Sequence, residues 1–299
     1  MKNTHLEHPE DSVLLSKQSV QQVINFLRDR NSTVSVKWDG APAIVFGTNP
    51  ENGKFFVGTK SVFNKVKVKI NYTHHDIEKN HGDKPNVASI LHMCMEKLPK
   101  LNGVYQGDFI GFGGTDTFEP NTITYKFPGV VNQSIVFAAH TCYDGKSMKE
   151  MTASFGAPFC IRENSFDVKF VNTDAQFVSR SRRIDYLLNI ASLVSNFVKF
   201  PDAKEGEQLK ISVNKCIREE RNISESGMGK RLTFLYNLII EVKHLLMDGI
   251  VSKEDVQCQF EGSNCSHEGY VMTNEFGTFK LVNRREFSYR NFTKKKQWV

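Results

Sequence analysis

The stretch VSVKWDGAPAIVFG (residues 34–47) decides how this chain is read. Two runs of small and β-branched residues flank Lys37-Trp38-Asp39-Gly40, so one strand ends and another begins around a lysine, a carboxylate and a glycine. Asp-Gly between apolar runs also marks a tight hairpin, in which case Lys37 points at water. The tetrapeptide has a chemical reading as well. A lysine at a strand end, two residues before a carboxylate, serves as an amine nucleophile once neighbouring cations and partial burial lower its pKa.

Around this stretch the apolar period changes twice. Val20, Val23, Ile24 and Leu27 predict a helix over 17–29. From residue 34 to about 171 the signals are short β-type runs broken by Gly, Asn-Pro and Asp-Gly, interrupted by one helix at about 86–97. Residues 175–256 read as helical, with Ile184, Leu187, Leu188, Ala191 and Val194 on one face. Strand signals return at HEGYVMTNEFGTFKLV (residues 267–282). The expected organisation is therefore a strand-rich unit from 1–174 and 257–299, with a helical subdomain inserted at 175–256.

Composition restricts the function classes. The chain has 299 residues, 39% hydrophobic and 24% charged, as in ordinary globular proteins. No apolar run approaches the ~20 residues of a membrane span, and the N-terminus lacks a signal-peptide core, so the cytoplasm is the expected location. Six cysteines without metal-ligand spacing argue for free thiols and against zinc. The net charge of +6 is concentrated in NKVKVKI (64–70), SRSRR (179–183) and RNFTKKKQW (290–298), which permits a polyanion partner.

Lys37-Trp38-Asp39-Gly40 resembles the nucleotide-accepting motif of the covalent nucleotidyltransferases, the superfamily of ATP-dependent DNA ligases, RNA ligases and mRNA capping enzymes. In the family's order follow GTKSVFNK (58–65), YQGDFIG (105–111), IVFAAHTCYDG (135–145), HEGYVM (267–272) and FKLVNR (279–284). The look is nearest to phage-type RNA ligases, which would place the protein in the host cytoplasm if phage-encoded. The resemblance implies an α+β fold, the nucleotidyltransferase (ATP-grasp-like) fold of packed antiparallel sheets. With 31 residues after Glu268, no C-terminal OB domain is expected.

What the resemblance implies for single residues can be checked against physical need. Lys37 would take AMP from ATP, with Glu268 and Lys280 as its catalytic partners. Val36, Asp39, Gly40, Lys60, Asp108 and Phe137 would bind the nucleotide together with Glu268 and Lys280, Phe137 by stacking on adenine and Asp108 through the ribose. Glu268, with Asp108, would hold Mg2+ or Mn2+, because hard oxygen ligands suit such ions. Three positions depart from the family: Lys60 replaces an arginine, Asp108 a glutamate, and Lys280-Leu281-Val282 stands for K-x-K, leaving Arg284 or Arg285 to supply a second cation. Arg180, Arg182, Arg183, Lys294, Lys295 and Lys296 are the expected nucleic-acid contacts.

The expected function is an ATP-dependent RNA ligase, a monomer joining 5′-phosphate to 3′-hydroxyl ends through lysyl-AMP. The alternatives are a DNA nick ligase, a nucleotidyltransferase with another acceptor, and a catalytically idle nucleic-acid-binding module.

Overall fold

The computed structural model describes residues 6–155, 161 and 165–287. The described chain opens with a buried 3-10 turn, Pro9–Leu14, followed by α1 (Lys17–Arg28), β1 (Thr33–Lys37), β2 (Ala43–Thr48) and β3 (Phe55–Thr59). Helices α2 (His74–His81) and α3 (Pro85–Lys97) precede β4 (Val104–Phe112), β5 (Thr115–Phe118), β6 (Thr124–Val131), β7 (Ile135–Asp144), β8 (Thr152–Phe155), β9 (Val168–Phe170) and β10 (Asp174–Phe177). Three helices follow, α4 (Arg183–Ser195), α5 (Ala203–Arg218) and α6 (Lys230–Met247). The described chain closes with β11 (Ile250–Ser252), β12 (Gln257–Phe260), β13 (Ser263–Asn264), β14 (Gly269–Asn274) and β15 (Gly277–Val282).

The architecture is α+β. A first sheet runs β11-β10-β1-β14-β15, a second β13-β12-β6-β5, and a third β3-β2-β4-β7-β8. Pairing is antiparallel except where β9 joins β7 in parallel. Neighbours β1 and β14 lie far apart in sequence yet pair in register from Thr33↔Thr273 to Lys37↔Gly269. This long-range pairing brings the first and last motifs together.

The strands β1 and β2 belong to different sheets, so Asp39-Gly40 is a crossover and not a hairpin turn. Its path is fixed by Asp39, whose side chain is buried. Asn121 Nδ2 donates to Oδ1 at 2.7 Å, while the Thr122 and Ile123 N–H groups donate to Oδ2 at 2.7 and 3.0 Å. The Asp39 N–H donates to the Tyr125 hydroxyl at 2.7 Å. Asp39→Ala would strand two buried backbone donors, each costing about 1–3 kcal/mol. Urea unfolding should therefore show a loss of about 3 kcal/mol or more; a loss under about 1 kcal/mol would mean that water takes over the caps.

The helical stretch is shorter than the expected 175–256 and less separate. Its ends pair as β10 and β11 in the first sheet, because AQF and IVS carry the alternation of half-buried strands. Helices α4 and α6 share one core with α1 through Ile24, Leu27, Ile184, Leu188, Leu235 and Ile239, and with Met272 and Leu281 of the first sheet. The helices thus back the sheet that carries Lys37.

A buried ion cluster ties the N-terminal turn to this layer. Lys243 pairs with Glu10 Oε1 at 2.6 Å, and Arg284 Nη1 reaches Asp11 Oδ1 at 2.8 Å and the Tyr236 hydroxyl at 3.0 Å. Arg284 also donates to Asn214. Two acids and two bases balance, which lets the charges remain buried. Among the described residues no helix is long and apolar enough to cross a membrane.

Candidate functional site

Alternation along β1 buries Val36, and Trp38 just beyond the strand is buried too, so Lys37 points to the opposite face. Trp38 is the anchor: its ring lies 4.7 Å from Tyr125 and 5.4 Å from His267. Ser35, Val271 and Lys280 form one cross-strand row on the face of Lys37, and all are half-buried. A polar, half-open sheet face is thereby aimed at the site.

The crossover then lies down on β4. The Ala41 N–H donates to Phe109 O at 3.0 Å, and the Phe109 N–H to Pro42 O at 3.1 Å. Gly40 is required by this approach, since a Cβ there would stand 2.6 Å from Asp108 Cβ and 2.9 Å from Phe109 O. The glycine serves strand-to-strand contact, and it brings Asp108 within electrostatic reach of Lys37.

Across the sheet, Lys37 donates to Glu268 Oε2 in an ion pair whose side chains are 33% and 12% exposed. Glu268 is held in place by Gly269, where a Cβ would collide with Leu281 O at 2.1 Å. Carboxylates outweigh the expected cationic surroundings of Lys37, although Lys280 is near enough to feel its charge. Burial works against its charge, but the Glu268 carboxylate, with Asp108 and Asp39 behind it, keeps its pKa above the ordinary lysine value. In this state the amine is an ammonium, because acids crowd it. Lys280 is shifted the other way, held below the usual lysine value by burial and by the Lys37 charge.

The remaining positions divide. Asp108 joins the site, and His140 Nε2 lies 3.6 Å from its Oδ2. His140 falls where the β4–β7 register slips between Gln106 and Gly107, a bulge that re-aims the side chain. Lys60 opens a 3-10 turn, Lys60–Phe63, just after β3. Thr59 pairs with Ile44 and the adjoining Ala43 pairs with Asp108, which puts Lys60 at the same end of that sheet.

Phe137 is not on the face of Asp108. It pairs with Phe109 while Asp108 pairs with Ala138, and alternation sends it to the far face, fully buried against Phe46 and Phe170. Val36 is likewise core, and both Asp39 oxygens are engaged by the 121–123 loop. Arg284 is committed to the buried cluster, and Arg285 is exposed.

Of the expected nucleic-acid contacts, Arg180 serves the fold. Its Nη2 donates to Leu27 O at 3.0 Å and Arg28 O at 3.3 Å, closing the C-terminus of α1. Arg183 pairs with Glu241 at 2.5 Å, and Arg182 is exposed. Lys294, Lys295 and Lys296 lie outside the described residues.

His267 borders the site between Trp38 and Glu268, with Nδ1 3.5 Å from Cys258 Sγ. Burial lowers its pKa to about 4, against 6.5 in a free side chain. Below pH 6.5 the unfolded chain takes up a proton that the folded chain refuses, so stability falls as pH drops through this window. Between about pH 7 and about pH 5 the loss assigned to His267 should be about 2 kcal/mol. His267→Gln should flatten the urea-midpoint profile by that amount; an identical slope in both proteins would assign the acid sensitivity elsewhere.

Fold and site together define an α+β protein whose β1 crossover brings a lysine and two carboxylates together, with a second lysine within electrostatic reach. The chain belongs to a family of unknown function (DUF6267), which matches residues 3–232 and 226–296. No curated protein and no solved structure matches it.

Proposed function

We propose that the chain is an ATP-dependent polynucleotide ligase, with the nucleotidyltransferase fold and RNA ends as its first substrates. The observation that carries this reading is the Lys37–Glu268 pair, formed by residues 231 apart in sequence at neighbouring strand ends. Lys280 and Asp108 flank the pair, as the resemblance requires.

The chemistry sets what each group must do. The Lys37 ammonium gives up a proton to Glu268, already its hydrogen-bond partner, which passes it to water so that the carboxylate is again free to hold an ion. Lys37 Nζ then bonds to the α-phosphorus of ATP as the bond from that phosphorus to the pyrophosphate oxygen breaks, and a second Nζ proton leaves to pyrophosphate or water to give the phosphoramide. Lys280 offsets charge on the non-bridging oxygens. An oxygen of a strand's 5′-phosphate then bonds to the adenylate phosphorus as the Lys37 N–P bond breaks, and the 3′-oxygen of another strand, losing its proton to water, bonds to that 5′-phosphorus as AMP leaves.

Among the described residues no three or more His, Cys, Asp or Glu side chains form a ready-made metal cage. Glu268 and Asp108 nevertheless fit a magnesium or manganese site completed by phosphate oxygens and water, the usual mode for magnesium. When bound, such an ion would draw negative charge away from Lys37 and so favour its neutral amine. Arg182 and Arg183, exposed at the start of α4, are the surface candidates for strand phosphates.

The test is strand joining. Incubated with ATP, Mg2+ and 5′-phosphorylated RNA or DNA oligonucleotides, the protein should convert a strand pair to one longer product. A lysyl-AMP adduct without joining of either polymer would point to another acceptor; neither adduct nor product would point to an idle binding module.

A further inference from the structure

We propose that Cys258 and Cys265 form an oxidisable pair: hydrogen peroxide attacks Cys265, and Cys258 then closes a disulfide across the β12–β13 hairpin. The inference does not depend on the ligase reading. Register brings the two thiols together. Gln259 pairs with Asn264 and Phe260 with Ser263, which leaves Glu261 and Gly262 as a two-residue turn. Both have left-handed φ, 49° and 79°, as a type I′ turn requires. The Cys265 N–H donates to Cys258 O at 2.9 Å, so the ladder runs one step beyond β13 and sets Cys265 opposite Cys258. Residues opposite each other in a hydrogen-bonded antiparallel pair have Cα atoms about 5.5 Å apart, inside the disulfide range of about 4.4–6.8 Å. Their side chains share one face, and both pack on the cluster that contains Trp38 and Tyr125.

The surroundings give the two sulfurs different tasks. Cys265 is half-buried between exposed Asn264 and Ser266, whereas Cys258 is buried, so peroxide reaches Cys265 first. The Cys265 sulfur, losing its proton, takes one oxygen of the peroxide as the O–O bond breaks; a sulfenic acid forms and one water leaves. Cys258 Sγ lies 3.5 Å from His267 Nδ1, a ring that burial keeps neutral and able to accept the thiol proton. The Cys258 sulfur then bonds to the Cys265 sulfur as the S–O bond breaks, and the departing hydroxide takes that proton to become a second water. Two thiols are oxidised, and one peroxide is reduced to two waters. The crosslink draws the Cys258 sulfur away from His267, the residue before Glu268 and a ring neighbour of Trp38.

Intact mass and non-reducing peptide mapping of the full chain after a stoichiometric dose of hydrogen peroxide test the pairing. Cleavage after Glu261 puts the two cysteines on different peptides. The expected product is lighter by two hydrogens, its Cys258 and Cys265 peptides are linked, and dithiothreitol restores the original mass. Cys258→Ser should instead hold an added oxygen on Cys265, trapped by dimedone, while Cys265→Ser should form no crosslink at Cys258. If either variant fails to fold, the wild-type map alone decides. Oxygen accumulating on wild-type Cys265 without a link, Cys258 joined to any other cysteine, or a pair that peroxide leaves as thiols would overturn the proposal. The measurement uses no ATP, so the ligase reading stands or falls separately.

Discussion

Lys37→Ala is expected to take up no label from α-labelled ATP and Mg2+ while remaining folded. The side chain sits at a strand end, a third exposed, and contributes little to the core. Its removal leaves Glu268 without its ion-pair partner, a cost that protonation of the carboxyl relieves, because burial already pushes the Glu268 pKa up. Lys37→Arg makes the sharper variant. The guanidinium can keep the pairing with Glu268, so the electrostatics of the groove survive, but it stays protonated and cannot attack phosphorus. Label on either folded variant would remove Lys37 from the role of nucleophile.

Glu268→Ala and Glu268→Gln are expected to slow adenylylation by about a hundredfold or more. Two losses coincide, since the variant has neither an acceptor for the Lys37 proton nor the carboxylate best placed for a divalent ion. Gln keeps the size of the side chain and separates charge from packing. Because Glu268 is the main carboxylate opposing deprotonation of Lys37, the Gln variant should also have a lower lysine pKa. A rate near that of the wild type would make the pair an ordinary salt bridge.

The parts of this site legible in the sequence are those set by local pattern or fixed order. Strand alternation around Lys37, the helices of 183–247 and the glycine of HEGYV can all be seen along the chain. Face and partner are another matter. Phe137 is one residue from the groove face, and only the register of β7 against β4 settles which way it points. Asp39 reads as a ligand-binding carboxylate until the 121–123 loop is seen to use both its oxygens. Helix α2 is hidden from a periodicity reading because HHDIEKNH has a single buried aliphatic residue, Ile77; its capping box, Thr73 with Asp76, is the available signal. His140 is turned toward Asp108 by a bulge, and the N-terminal turn is placed by Glu10 and Asp11 finding bases more than 200 positions away. Such long-range charge pairing has no period for a local reading to detect.

The most direct measurement is the intact mass of the wild-type protein after incubation with ATP and Mg2+, followed by peptide mapping. A single added AMP is expected on the peptide that contains Lys37, released by pyrophosphate, with no addition to Lys37→Arg. An unchanged wild-type mass, or an adduct that persists in Lys37→Arg, would contradict it.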